Sequence, residues 1–159
     1  MRHFKNINIK KRQFGSALLE ALFAILIFSV GLLALIALQA VSIKNSVDAK
    51  YRADAALLVT QIIAQMWVDR SNIDNYGHYQ SGPVCAFTGS ASANVASWTT
   101  PVTDWITQTS RELPGSAANK AQILVNDVGG TKRVMVTVCW KGPQETTTHN
   151  LVAIAQINP

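Results

Sequence analysis

Gly15-Ser16-Ala17-Leu18-Leu19-Glu20, followed over residues 21–38 by ALFAILIFSVGLLALIAL, decides the fold of this chain. The 18 residues from Ala21 to Leu38 contain no ionisable group. About 20 apolar residues suffice to carry a helix across the hydrocarbon core of a bilayer. One carboxylate, Glu20, stands at the head of the run. An ionisable side chain at the centre of a membrane helix costs at least about 2.5 kcal/mol, so it ordinarily has a partner and a task.

The charges around this run are unevenly placed. Only 14% of the 159 residues are charged, against roughly 25% in ordinary soluble domains, and the deficit is concentrated in residues 16–43, where Glu20 is the only charge. The net charge of +5 also has one source. Arg2, Lys5, Lys10, Lys11 and Arg12 precede Gly15 in a tail without acids, and the nine remaining basic residues are balanced by nine acidic ones. A nucleic-acid partner is therefore not expected, since nothing after Gly15 is basic enough to neutralise phosphates. A cationic tail beside an apolar span is instead the positive-inside signal, which keeps the tail in the cytoplasm and puts the rest of the chain on the far side. In a secretory signal the small-residue cleavage site follows the apolar part. Here the small-residue break, Gly15-Ser16, precedes it, so cutting there removes the charges and keeps the anchor.

The helical pattern continues past Leu38. Ile43, Val47, Tyr51, Ala55, Leu58, Ile62 and Met66 recur at spacings of three and four and form one apolar face. Asp48 and Arg52 lie off that stripe as an acid-before-base pair one turn apart. No proline occurs before Pro83. The reading is a basic leader (residues 1–15), a long helix (16–71, membrane-spanning over about 17–40 and amphipathic beyond), and a globular domain (72–159) large enough for one small core.

Within that domain, residues 71–103 are rich in Ser, Gly, Asn and Thr and read as loop. A short helix follows, capped by Thr103 or Asp104, anchored by Trp105, Ile106 and Leu113, and ended by Pro114-Gly115. The rest reads as an antiparallel meander laid against the long helix. Gln122–Asn126 forms a strand, Asp127-Val128-Gly129-Gly130 a turn, Lys132–Trp140 a second strand and Asn150–Ile157 a third. In the second strand Val134, Val136, Val138 and Trp140 share the inward face, which leaves Cys139 pointing away from the helix. The four tryptophans (Trp67, Trp98, Trp105 and Trp140) read as packing residues rather than sugar platforms.

Cys85 and Cys139 fall on the far side of the span. In an oxidising envelope compartment they pair, closing a loop of about 55 residues worth roughly 2–4 kcal/mol; the alternative is two buried free thiols. No metal site is expected, because no CxxC is present and His3, His78 and His149 stand apart from both cysteines. His78 with Tyr76 and Tyr79 reads as a polar loop with scattered aromatics. No Gly-rich phosphate loop, HExxH or nucleophile–base spacing occurs, so neither an enzyme nor a cofactor is expected.

The N-terminal stretch from Gly15 to Glu20, with the apolar run closing at Leu38-Gln39, resembles the N-terminus of type IV prepilins. It is most similar to the minor pilins called PilV-like, or type IV pilus modification proteins. Leu18-Leu19-Glu20-Ala21-Leu22, Gly31-Leu32-Leu33 and the later Trp105…Leu113-Pro114-Gly115 share that likeness. The match is specific over about 40 residues and loose over the remainder. It implies an α+β pilin-like fold in which a long N-terminal helix packs on a small antiparallel sheet. It also implies that a prepilin peptidase cuts between Gly15 and Ser16 and that the new amine of Ser16 is methylated. The chain would then pass from a single-pass inner-membrane state, its C-terminal domain periplasmic, to a cell-surface pilus, where its helix packs against other major and minor pilins. Two positions depart from the common pattern. Ser16 stands where most pilins have Phe, and Ala37 stands where major pilins usually have Pro, which favours a minor pilin.

Glu20 lies one turn from Ser16 on the same helical face. After cleavage its carboxylate can meet its own amine or a neighbouring subunit's, and such a pair is strongly attractive in a low-dielectric core. The plainer alternative is a Glu snorkelling to headgroup water. A minor pseudopilin of a type II secretion system would share the processing signal and helix. A pilus-displayed adhesin or ligand-binding module is an alternative of another class.

Overall fold

The computed structural model describes residues 14–91, 99–143 and 145–158. The basic tail and Trp98 lie outside the described residues. The architecture is α+β: a long N-terminal helix, α1 (Phe14–Val68), is followed by a short helix, α2 (Thr99–Glu112), and three strands, β1 (Ala121–Val128), β2 (Thr131–Trp140) and β3 (His149–Ile157). The chain divides into two compact units, Met1–Asn45 and Ser46–Pro159.

In the first unit the described residues are α1 alone, and every one from Gly15 to Asn45 is exposed. Gly31 does not break the helix; Ser29 turns its hydroxyl back to the Ile25 carbonyl. In the second unit the stripe read from the sequence is buried only in its later part. Ala55, Leu58, Ile62 and Met66 are buried, joined by Val59, and Tyr51 packs against them. Val47 is 40% exposed and Ile43 65% exposed. Asp48 and Arg52 pair as their spacing predicts, with Oδ2 accepting from Nε at 2.9 Å. The helix ends at Val68 rather than at residue 71, and Asp69 marks the change of geometry. Its N–H still reaches the Gln65 carbonyl, while its carboxylate accepts from Asn72 Nδ2 at 2.7 Å and Tyr76 Oη at 3.1 Å. These bonds hold a 3-10 turn over Arg70–Tyr76, in a stretch the sequence reading had begun to treat as loop.

The sheet is the expected meander, ordered β1-β2-β3 and antiparallel throughout. Val134, Val136, Val138 and Trp140 are buried on the inner face, opposite Val125, Ile123 and Ala121 on one side and Ala155, Ala153, Leu151 and His149 on the other. This face meets the buried face of α1, Val102 and Trp105 of α2, and Leu113 just after α2 in one core. The first hairpin is tighter than the sequence reading. Asp127 and Val128 pair with Lys132 and Thr131, leaving Gly129-Gly130 as a two-residue turn. Both glycines have positive φ, 60° and 85°, as hairpin turns that match strand twist require.

Helix α2 begins at Thr99, so Thr103 and Asp104 sit inside it rather than capping it. The reason is Pro101, which is tolerated in a first turn where N–H groups lack intrahelical acceptors. The exit follows expectation. Gly115 has φ 63°, and a Cβ there would lie 3.1 Å from the Lys141 carbonyl. Lys141 N in turn donates to the Pro114 carbonyl at 2.8 Å, tying the end of α2 to the end of β2.

Candidate functional site

The sequence singled out the head of α1, and the structure places Gly15, Ser16 and Glu20 there. Gly15 and Ser16 are the second and third residues of the helix. First-turn N–H groups have no acceptor within the helix, and no acidic residue lies in that turn to complement the helix dipole. Glu20 is four residues after Ser16, so the two share one face, a turn apart. A Cβ at Gly15 would meet nothing within 4 Å; the glycine is not required by packing within the described residues.

Below Glu20 the surface is apolar all round. Leu22, Phe23, Ile25, Phe28, Leu33, Ile36 and Leu38 are all exposed by more than half. The largest apolar patch on an ordinary monomer covers a few hundred Å², and a helix apolar on every side is one that lipid or other helices surround. By length and composition α1 can span a membrane, with a mean hydropathy of 2.9 over its most apolar window.

The second predicted pair is joined. Cys85 and Cys139 form a disulfide with Cα atoms 5.6 Å apart. Cys139 lies on the outer side of β2, opposite the Val136 and Val138 face, so the bridge fastens the loop before α2 to the outer face of the sheet. Neighbouring bonds do the same. His78 and Ile123 exchange backbone hydrogen bonds at 2.9 and 3.0 Å, which extends β1 at its free edge, Gln122 Nε2 donates to the Tyr79 carbonyl at 2.8 Å, and Phe87 N donates to the Asn119 carbonyl at 3.0 Å. The loop is thus built into the sheet. Its composition hid this, because the bonds are made by backbone.

His78 corrects the reading of an ordinary polar loop. It is buried, its Nε2 lies 3.2 Å from the Ala118 carbonyl, and its ring meets Tyr79 edge-on at 4.5 Å between centroids. Burial pushes its pKa below the usual histidine range, partly offset by the Ala118 contact. Tyr76, also buried, is pushed up to about 12 by desolvation first and then by its bond to the Asp69 carboxylate. Lys132 reaches Asp127 and Asp74, each at 2.8 Å, and these bonds hold its pKa above the usual lysine value. Trp105 and Trp140 are buried as expected, whereas Trp67 is 45% exposed on the outer side of α1.

One constellation escaped the sequence reading. Asp48 on α1, Glu145 between β2 and β3, and His149 at the start of β3 bring one donor atom each within 4.8 Å of one another. Glu145 and His149 lie four positions apart, but Asp48 is about a hundred positions earlier, and only the fold brings it to them.

No family model, curated protein or solved structure matches this chain.

Proposed function

We propose that this chain is a minor pilin of the PilV-like type. It is made as a membrane-anchored precursor, cut between Gly15 and Ser16 by a prepilin peptidase, methylated on the Ser16 amine, and incorporated into a type IV pilus or used to prime one. The observation that carries the reading is the placement of Gly15-Ser16 in the first turn of α1, with Glu20 one turn on and only apolar surface beneath.

The chemistry follows from that placement. Cleavage at Gly15 turns the Ser16 peptide nitrogen into an amine at a helix N-terminus and discards the basic tail. Glu20 then sits a turn from a positive group of its own chain and can reach that of a neighbour. At 4 Å and an effective dielectric constant of 20, two unit charges attract by about 4 kcal/mol, enough to favour one axial register over its neighbours. The apolar surface below supplies non-directional packing, and the charge pair supplies direction. Before cleavage no such amine exists, so assembly waits on processing. In this reading the tail stays cytoplasmic, the globular unit with its disulfide is periplasmic, and after assembly that unit faces outward on the pilus.

Intact-mass measurement of the protein from cells with and without the peptidase tests this reading. It predicts a mature chain beginning at Ser16 and carrying one added methyl group, and an uncut chain when the peptidase is absent. Any other N-terminus in the mature protein overturns the proposal.

A further inference from the structure

Where β2 ends at Trp140 the chain turns sharply. Glu145 N donates to the Gly142 carbonyl at 3.1 Å, and Gly142 N donates back to Glu145 Oε2 at 3.3 Å. This reciprocal pair holds the Glu145 carboxylate against the body of the domain, where His149 Nε2 lies 2.9 Å from the same Oε2. The His149 ring is fixed in turn by stacking on Trp140, with centroids 5.8 Å apart and planes 24° from parallel. Asp48 approaches from α1. Its Oδ2 is held by Arg52, and its Oδ1 is buried and meets no hydrogen-bond donor among the described residues.

Two carboxylates and an imidazole therefore converge, all three half-buried, from two separate parts of the chain, α1 and the entry to β3. Two carboxylates brought this near each other favour a positively charged partner beside them. Arg52 bonds to the Asp48 oxygen, and no bond joins it to Glu145 among the described residues. The donor set selects the cation. Ca²⁺ and Mg²⁺ take oxygen ligands, whereas one imidazole with carboxylates suits Zn²⁺ and its first-row neighbours. The spacing agrees. Bonds of 2.0–2.2 Å in a tetrahedron put donor atoms roughly 3.3–3.5 Å apart. Here the Glu145 and His149 donors are 2.9 Å apart and every pair lies within 4.8 Å, so modest side-chain adjustments close the site.

We propose that Asp48, Glu145 and His149 form a binding site for one divalent transition-metal ion of the Zn²⁺ type. Three protein ligands leave a fourth position for water. The bound ion ties α1 to the connection between β2 and β3. The cysteines, joined to each other, do not compete as ligands. The site stands independently of the pilin reading.

The test uses the full-length chain in detergent, stripped with EDTA and titrated with ZnCl₂ by calorimetry. One ion per chain is expected, at micromolar affinity or tighter. His149→Ala and Glu145→Gln are each expected to weaken binding by about 100-fold or more, since changes even in residues behind a ligand cost 10–100-fold. His3→Ala and His78→Ala are expected to leave affinity unchanged, and CaCl₂ at equal concentration is expected not to compete. Zn-edge X-ray absorption of the wild-type chain, which requires no variant to fold, is expected to show one nitrogen and two carboxylate oxygens beside water. Absence of a saturable stoichiometric site overturns the proposal, as does unchanged affinity in folded His149→Ala and Glu145→Gln. A ligand shell with no nitrogen, or with two, also overturns it.

Discussion

Trp105 donates its indole Nε1–H to the backbone carbonyl of Leu58 at 2.9 Å, inside the core. The bond fastens α2 to the part of α1 that belongs to the globular unit, and it satisfies the one polar atom of a large buried side chain. Trp105→Phe keeps most of the ring and loses the donor. The Leu58 carbonyl retains its helical partner, so the cost is that of one neutral hydrogen bond plus a partly filled cavity, about 1–2 kcal/mol. Thermal unfolding followed by circular dichroism is expected to show a midpoint lower by roughly 4–8 °C per kcal/mol lost. Trp105→Ala is expected to cost about 3–5 kcal/mol. An unchanged midpoint in Trp105→Phe would show that the indole bond contributes nothing.

The disulfide holds the loop before α2 to the outer face of β2, joining cysteines 54 positions apart. Cys85→Ser with Cys139→Ser is expected to lower stability by about 2–4 kcal/mol through the freed unfolded chain. The backbone bonds between His78 and Ile123 remain to guide the loop. Urea titration of the oxidised protein, the double variant and the reduced wild type measures the difference. Equal midpoints for all three would contradict the prediction.

His78 makes stability depend on pH on the acid side. Its folded pKa lies below the unfolded value of about 6.5, so between the two values the unfolded chain binds more protons. Stability is therefore full above the unfolded value and declines as pH falls below it toward the folded pKa. Urea midpoints measured from pH 8 to pH 5 are expected to decline below about pH 6.5. In His78→Gln the decline is expected to flatten. The reverse slope would contradict a buried, neutral His78.

Tyr76 acts on the alkaline side. Its folded pKa of about 12 stands above the ordinary tyrosine value of about 10, so in that window the unfolded chain loses a proton that the folded chain keeps. Stability is expected to fall as pH rises from about 10 toward 12. Absorbance titration near 295 nm is expected to show one phenol ionising late, and that phase is expected to vanish in Tyr76→Phe.

Much of this structure was legible because it follows local rules. Val134, Val136, Val138 and Trp140 alternate as a half-buried strand must, and Ala55, Leu58, Ile62 and Met66 recur as a helix face must. What escaped depends on tertiary closure. The loop around His78 is pinned by backbone groups, to which composition is blind. Val47 and Ile43 continue the apolar spacing, yet both remain exposed, so the period alone could not say where the buried face of α1 begins. Thr103 and Asp104 have the chemistry of caps, but Pro101 lets α2 start earlier. Glu145 and His149 are near neighbours in sequence, but nothing in the sequence links them to Asp48, which only the fold brings beside them.

Glu20 carries the sharpest test of the proposed function. In Glu20→Val the apolar surface of α1 is extended, so membrane insertion is expected to be unchanged or improved. Gly15 and Ser16 are untouched, so processing is expected to proceed, and the mature mass is expected to differ only by the substitution. What disappears is the attraction between this carboxylate and a Ser16 amine. At about 4 kcal/mol that attraction corresponds to roughly a thousandfold in an equilibrium, although partial screening leaves less. Recovery of the variant in sheared pili is expected to fall at least tenfold while its membrane level is maintained, and Glu20→Asp is expected to recover part of the loss. Glu20→Gln separates charge from shape, because it keeps the size and hydrogen-bonding reach of the side chain. If Glu20→Gln enters pili as wild type does, charge pairing is not what sets the register. If Glu20→Gln fails as Glu20→Val does while both are processed and inserted, the requirement is for the charge itself, which can be met only after the cut at Gly15.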